Sequence, residues 1–363
     1  MPLSKPDLYQ IVETYAGFGP HRTGSAADRA TADWLAERLA ELGGAVEKQP
    51  FEFSRFEHET TLTAGGVPVD ALPMYYRSTG SVDTETLGVV EMSLDHEDGA
   101  ADPIPDLCRR AMADGHDALV LATKGDTGGL VAINRPPNVI GDIPVVLIAG
   151  RDFERVRTGR PHLTYAASLS KDTAHNVIAR FGDPAAAGRI VLTTPFSGWF
   201  GCAGERGTGI AVLLGLVEAL RGSHAFTVIA ASGHELMYLG GDIAAARHGS
   251  RPDLVMHLGS CIATLNGHLD AVLHAPAATH ETVREALAPL DARLRMPDAP
   301  HDPSRWVGES RCWAGMPARM LSIAGTAPDF HTPEDTASRA TTPELLEQSL
   351  TSIRNALDVL LGD

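Results

Sequence analysis

From His175 onward the chain alternates short apolar runs with a helix that is apolar almost all the way round. RIVLTTPF (189–196), AFTVIAAS (225–232) and DLVMHLGS (253–260) are the runs, and GTGIAVLLGLVEALRG (207–222) lies between the first two. A strand that is apolar on both of its faces must be covered on both. That condition is met where helices flank a mostly parallel sheet. HNVIARF (175–181), AVLHA (271–275) and ARMLSIAG (318–325) read as further strands. A last helix is expected from about Pro343 to Leu361, with Thr342 as its cap. The expected fold is α/β: a mostly parallel-stranded mixed sheet with helices on both faces.

The first 54 residues fit the same domain. A short helix is expected over about Pro6–Ala16, then a polar turn, HRTGS (21–25). Ser25 and Asp28 mark the start of a second helix. Leu35, Leu39 and Leu42 fall on one face of it, and Gly43-Gly44 ends it. AVEKQPFEFSRFE (45–57) alternates as a strand. Residues 55–172 change character. Gly, Pro and Asp are frequent there, and the apolar runs LGVVEM, ALVLAT and IPVVLIAG sit between polar turns. Residues 1–54 and 173–363 are therefore expected to form one α/β domain, with 55–172 a β-rich inserted subdomain.

The balance of charge narrows the partners. The formal net charge is -16 and no Lys/Arg run is present. Nucleic acid and anionic membrane both require clustered positive charge, so neither is an expected partner. The acidic balance is compatible with a cationic or amine substrate. No stretch approaches 18 consecutive apolar residues, the length of a spanning helix. The N-terminus is polar and helix-like rather than a secretory leader. Cys108, Cys202, Cys261 and Cys312 have no paired spacing, which is not a disulfide framework. The expected location is cytoplasmic.

In open α/β sheets, sites gather at the carboxyl ends of strands. RIVLTTPF runs into SGWFGCAGERGTG, which carries Glu205. AFTVIAAS runs into His234-Glu235, DLVMHLGS carries His257, and the loop after ARMLSIAG holds His331 in PDFHTPEDT. Carboxylate and imidazole together are what zinc, manganese and iron sites use. Each residue also has a plain reading. A histidine can be a hydrogen-bonded core residue, and Glu205 beside Arg206 can be a surface ion pair. Cys202 and Cys261 can be packed thiols, Ser197 a turn serine, and Trp199 and Phe200 plain core. The stretch ASGHELMYLGG (231–241) nearly matches His-Glu-x-x-His, but Tyr238 stands where the second histidine belongs. A serine or cysteine nucleophile is not indicated, since no Gly-x-Ser-x-Gly elbow is present.

At these residues the sequence resembles the co-catalytic zinc aminopeptidases of the aminopeptidase Y and bacterial leucyl aminopeptidase type, which include the glutaminyl cyclases. GPHRTGSAADRATADWLAERLAELGG is similar to that family's opening helix. CAGERGTGIAVLLGLVEAL is similar to the loop and helix of the bridging aspartate. FTVIAASGHELMYLGG resembles the strand and turn of the Glu-Glu pair, LVMHLGS a strand bearing an aspartate, and FHTPEDT the last histidine ligand. Residues from about 75 to 170 resemble the protease-associated domain often inserted there. The departures fall on the ligands. Pro195-Phe196-Ser197 replaces His-x-Asp, Glu205 the bridging aspartate, His234 the catalytic glutamate, and His257 the later aspartate. Glu235 and His331 are kept.

The resemblance implies a single-metal site held by Glu205, Glu235 and His331, with His257 as a fourth ligand or else a second acid/base group. Zinc is the metal implied; manganese or ferrous iron would also suit two carboxylates and two imidazoles. His234 would take the acid/base role, since an imidazole with an unperturbed pKa of about 6.5 can exchange protons near neutrality. The implied activity is metal-dependent hydrolysis of an amide or peptide-like bond in a specialised small-molecule or peptide-like substrate. The alternative is a catalytically inactive relative that binds a ligand or partner through the old cleft.

Overall fold

A computed structural model describes residues 4–93, 103–134, 141–249, 251–296, 306 and 308–362. The chain divides into two compact units: 1–51, 173–330 and 335–363 in one, 52–172 and 331–334 in the other.

The first unit opens with helix α1 (Lys5–Gly17), whose Ser4 and Asp7 close a hydrogen-bonded start through Ser4 N to Asp7 Oδ2 at 2.8 Å. Leu8, Ile11, Val12 and Tyr15 form its buried face. Helix α2 (Ala26–Glu41) is capped by the Ser25 hydroxyl, which accepts from Asp28 N at 3.0 Å. It stops at Leu42, where Gly43 takes φ 94°. Strand β1 (Ala45–Ala64) follows and crosses into the second unit.

The second unit carries β2 (Val67–Val69), β3 (Ala71–Pro73), β4 (Gly80–Thr84), β5 (Leu87–Ser93), α3 (Ile104–Ala113), β6 (Ala118–Lys124), β7 (Val145–Ala149) and α4 (Phe153–Thr158). Strands β3, β7, β6 and β5 form a four-stranded sheet in that order. The β5–β6 and β6–β7 pairs are parallel and β3–β7 is antiparallel. Ile104, Cys108 and Ala111 of α3 pack on Leu119, Leu121 and Leu147 of this sheet. Strand β8 (Pro161–Phe181) then returns the chain to the first unit.

The remaining strands and helices rebuild the first unit: β9 (Ile190–Pro195), α5 (Thr208–Leu220), β10 (Phe226–Ala231), α6 (Leu239–Arg247), β11 (Leu254–Leu258), β12 (His268–His274), α7 (Ala277–Leu287), β13 (Leu294–Arg295), β14 (Arg319–Thr326), α8 (Ala337–Ala340) and α9 (Pro343–Leu361). Thr342 caps α9 by accepting from Leu345 N at 3.2 Å. Strands β10, β9, β11 and β14 are neighbours and mutually parallel. Antiparallel β8 and β12 flank this block. The sheet is thus mixed, with a parallel centre.

Successive residues of these strands serve opposite faces, as the two-residue period requires. Leu192, Val228, Leu254, Met256 and Leu321 join α1, α5 and α9 in the larger core. Val191, Ile229, Val255 and Met320 face the other way, onto Ala244 and Ala245 of α6 and onto Trp306 and Trp313. The sequence runs are apolar throughout because both faces are covered.

Topology then fixes where a site can form. After β9 the chain enters α5 on one face. After β10 it enters α6 on the other, and β11 comes back on the far side of β9. The loops leaving β9 and β10 therefore diverge, and their carboxyl ends are where the topology of an open α/β sheet places a site. Asn176 ties this point together: its Oδ1 accepts from Ser232 N at 3.1 Å and its Nδ2 donates to Gly240 O at 2.9 Å. A Cβ on Gly240 would lie 1.9 Å from Ser232 O and 2.6 Å from Asn176 Oδ1. Gly240→Ala is therefore expected to destabilise the fold by about 2 kcal/mol or more, read from a urea melt. A wild-type midpoint would show that α6 shifts without cost.

Among the described residues no helix is long and apolar enough to cross a membrane. The four cysteines are free thiols.

Candidate functional site

The stretch after β10 is not a zinc-protease helix. His234–Leu236 form a single 3-10 turn, Met237 and Tyr238 follow at φ 58° and 69°, and α6 starts only at Leu239. Tyr238 N donates to His234 O at 3.1 Å, but through an irregular turn with two left-handed residues rather than through a helix. Two consecutive non-glycine residues in the left-handed region cost energy, and such positions cluster at functional turns.

This turn places its two polar side chains differently. Glu235 is buried and both oxygens are engaged: Thr23 N donates to Oε1 at 2.6 Å and Ser197 Oγ to Oε2 at 2.9 Å. Thr23 lies in the polar turn HRTGS, whose role as a support for Glu235 has no sequence signature. His234 keeps 13% of its side chain exposed. Its Nδ1 lies 2.9 Å from Oε2 of Glu309, and its ring meets the edge of Tyr238 at 4.8 Å between centroids. Arg311 in turn lies over the Tyr238 ring at 4.5 Å.

Glu309 is a site residue that sequence reading misses. It arrives from the 3-10 segment Gly308–Trp313, which has no strand or motif to announce it. Its Oε1 is buried without a hydrogen-bond partner among the described residues. Burial pushes its carboxyl up to about 8, against the pull of Arg206. At neutral pH it holds its proton.

Glu205 sits in a π-turn, Ala203–Gly207, entered through Cys202 in the left-handed region at φ 47°. Asp335 clamps this turn. Its Oδ1 accepts from Gly204 N at 2.7 Å and its Oδ2 from Glu205 N at 2.9 Å. Burial raises the Asp335 carboxyl to about 7. A cavity of 220 Å³ opens beside the turn, with Cys261, Phe330, Asp335 and Arg339 among its lining residues.

The Glu205–Arg206 pair is an ion pair, but not a surface one. Arg206 Nη2 lies 2.6 Å from Glu205 Oε1, and the two side chains are 0% and 1% exposed. Arg206 Nε donates to Ser197 O at 3.0 Å. The Cys202 thiol donates to Glu205 Oε2 at 3.4 Å, and burial raises that thiol well above its ordinary range. Cys202 is a packed donor, not a nucleophile. Ser197 joins the two halves of the site: its carbonyl holds Arg206, while its hydroxyl accepts from His234 N at 3.0 Å and donates to Glu235.

His257 is buried on β11. Its Nδ1 has no hydrogen-bond partner among the described residues. Burial first, and Arg206 second, push its pKa down to about 3, so the ring is neutral. His331 groups with the second unit, where its Nδ1 lies 3.1 Å from Ala132 O and its backbone takes φ 59°. Trp199 is buried, with Arg22 over its ring at 4.8 Å.

The donor set around Glu205 does not fit a resident divalent ion. An arginine in a protein cannot shed its charge, and Glu205 already neutralises Arg206 one for one. A second, doubly charged cation about 4 Å from that guanidinium would meet repulsion of about 8 kcal/mol at an effective dielectric near 20. Glu235 is held by two donors. Among the described residues no group of three or more His, Cys, Asp or Glu side chains could hold a metal.

Asp28 supports the same strand end from below. Its Oδ1 accepts from Ser232 Oγ at 2.7 Å and its Oδ2 from Gly24 N at 2.9 Å. Burial raises its carboxyl to about 7 from 3.8. The folded chain therefore binds a proton that the unfolded chain has released between those values. Stability from this group is fully present below about pH 4 and falls by about 1.4 kcal/mol per pH unit as pH rises to about 7. Asp28→Asn is expected to flatten that part of the curve in urea melts from pH 4 to 8. An unchanged slope would show that Asp28 is ionised in the fold.

No protein-family model matches the chain, and no curated protein matches it in sequence. Its fold is nonetheless shared with solved structures. A zinc aminopeptidase from Bacillus subtilis superposes with a TM-score of 0.74 at 18% identity, covering 98% of this chain and 95% of that one. A peptidase M28 precursor from Shewanella amazonensis gives 0.74 at 16% identity over 97% and 92%. A glutaminyl cyclase from Porphyromonas gingivalis gives 0.54 at 15% identity over 98% of each. The shared feature is the mixed α/β architecture with its large sheet.

Proposed function

We propose that this chain is a peptidase-like amide hydrolase in which His234 is the acid/base group and Glu309 positions it. The observation that carries the reading is the 2.9 Å contact between His234 Nδ1 and Glu309 Oε2, in the turn beyond β10. The zinc aminopeptidase, M28 peptidase and glutaminyl cyclase neighbours support amide chemistry on this fold.

When Glu309 is ionised it accepts from His234 Nδ1–H, and Nε2 is then the nitrogen that takes a proton. Nε2 removes a proton from water as the water oxygen bonds to the amide carbonyl carbon. The tetrahedral species breaks its C–N bond, and the same proton passes from Nε2 to the leaving amine. The products are a carboxylic acid and an amine. Because Glu309 holds its proton until about 8, the rate is expected to climb with pH through that region. Glu309→Gln is expected to remove the climb.

His257, neutral and buried, is the second candidate acid/base group. The sequence-derived metal set of Glu205, Glu235, His257 and His331 remains the rival account of water activation. Its zinc is supported by the neighbours' names and opposed by Arg206. The non-catalytic reading, ligand binding at the same strand ends, is favoured by the sealed Glu205–Arg206 pair alone.

The test is hydrolysis of a panel of aminoacyl and pyroglutamyl arylamides by the purified chain, with and without a chelator. Turnover that His234→Ala abolishes supports the proposal. No turnover on any substrate, with intact fold, sinks it in favour of ligand binding.

A further inference from the structure

The least expected group in the turn beyond β9 is a fully buried guanidinium. A charge so placed must be compensated and fixed, and Arg206 is both. Nη2 faces Glu205 Oε1 at 2.6 Å, and Nε donates to Ser197 O at 3.0 Å. Glu205 is itself fixed, since Asp335 holds its backbone N and the N of Gly204, at 2.9 and 2.7 Å. The third guanidinium nitrogen, Nη1, is buried with no hydrogen-bond partner among the described residues. The Nδ1 of His257, from the neighbouring strand, is in the same condition.

We infer that Arg206 is the resident cation of this site in place of a metal ion, so that the protein folds and binds its ligand with no metal bound. Glu205 is then a counterion rather than a ligand, and Ser197 a bracket for the guanidinium. The unpartnered Nη1 is the donor that an anionic or strongly polarised oxygen would meet, the carbonyl oxygen of an amide among them. The metal-free half of this inference stands apart from the hydrolase reading; the choice of an amide oxygen rests on it.

Elemental analysis of the full chain, produced with zinc, manganese and iron in the medium and dialysed without chelator, is the direct experiment. The expected result is well under one metal per chain, with a melting temperature unmoved by a chelator or by added zinc chloride. About one retained metal per chain, whose removal lowers the melting temperature, overturns the inference. Arg206→Lys supplies a second readout: a compact ammonium keeps the charge and loses the fork. It should melt between the wild type and Arg206→Met, and equal melting of all three would also overturn the inference. The two readings fail separately. Chelator-sensitive amide hydrolysis removes the guanidinium account and leaves the hydrolase. A metal-free chain without turnover removes the hydrolase and leaves the guanidinium account.

Discussion

Replacing Arg206 by methionine is expected to cost about 3–5 kcal/mol of stability, because it leaves the Glu205 carboxylate buried without its counterion. Methionine fills much of the volume, so the loss reports charge more than packing. The 2.6 Å contact between two side chains at 0% and 1% exposure is the geometry in which such a loss is largest. Surface pairs of this chain, such as Arg38–Glu41, are exposed on both sides and should show almost nothing on the same exchange. The double variant Glu205→Leu/Arg206→Met separates the two contributions. It removes both charges, so it should recover much of the single variant's loss. Equal denaturation midpoints for the wild type and the single variant would show that Glu205 takes up a proton instead and that the pair contributes nothing.

The second large effect is on rate. On the hydrolase reading proposed above, His234→Ala is expected to lower kcat on arylamides by about 10²–10⁴-fold, the range for loss of a general acid/base group. KM should change little, since in the proposed mechanism the imidazole acts on water and on the leaving amine. Glu309→Gln should lower kcat by a smaller factor and abolish the rise of rate with pH near 8, the value to which burial pushes this carboxyl. Circular dichroism and melting curves should show both variants folded, because His234 keeps 13% of its side chain exposed and glutamine matches the shape of the protonated Glu309 carboxyl. Retention of activity within about threefold by His234→Ala would move the acid/base role elsewhere, with His257 the next candidate.

The sheet and its helices were legible from sequence where periodicity is strong. RIVLTTPF, AFTVIAAS and DLVMHLGS became β9, β10 and β11, and the apolar segment between the first two became α5. Thr342 and Ser25 cap the helices they were expected to cap. The alternation in AVEKQPFEFSRFE gave the start of β1 but not its run to Ala64, because the later residues are mostly polar. The site was less legible. Residues at strand ends could be named as candidates, since an open α/β sheet collects its strand ends along one edge. Their partners could not. Glu309 lies 75 positions from His234 in a segment with no periodic pattern. Arg206 is an ordinary residue type beside an acid, and nothing local distinguishes a surface pair from one sealed under α1 and α5. The left-handed Met237 and Tyr238 were hidden for a related reason: neither residue type advertises positive φ.

The bracket formed by Ser197 carries a consequence for how such a site can change over generations. Its grip on Arg206 runs through a backbone carbonyl, which every residue type possesses, whereas its grip on Glu235 and on the His234 amide runs through a hydroxyl. Substitution at position 197 can therefore loosen the turn beyond β10 while the guanidinium stays seated. A histidine placed at position 195 or an aspartate placed at position 257 would leave the buried guanidinium of Arg206 where it is. The arrangement acts as a ratchet. Positions 205 and 206 are expected to be kept or exchanged only as a pair.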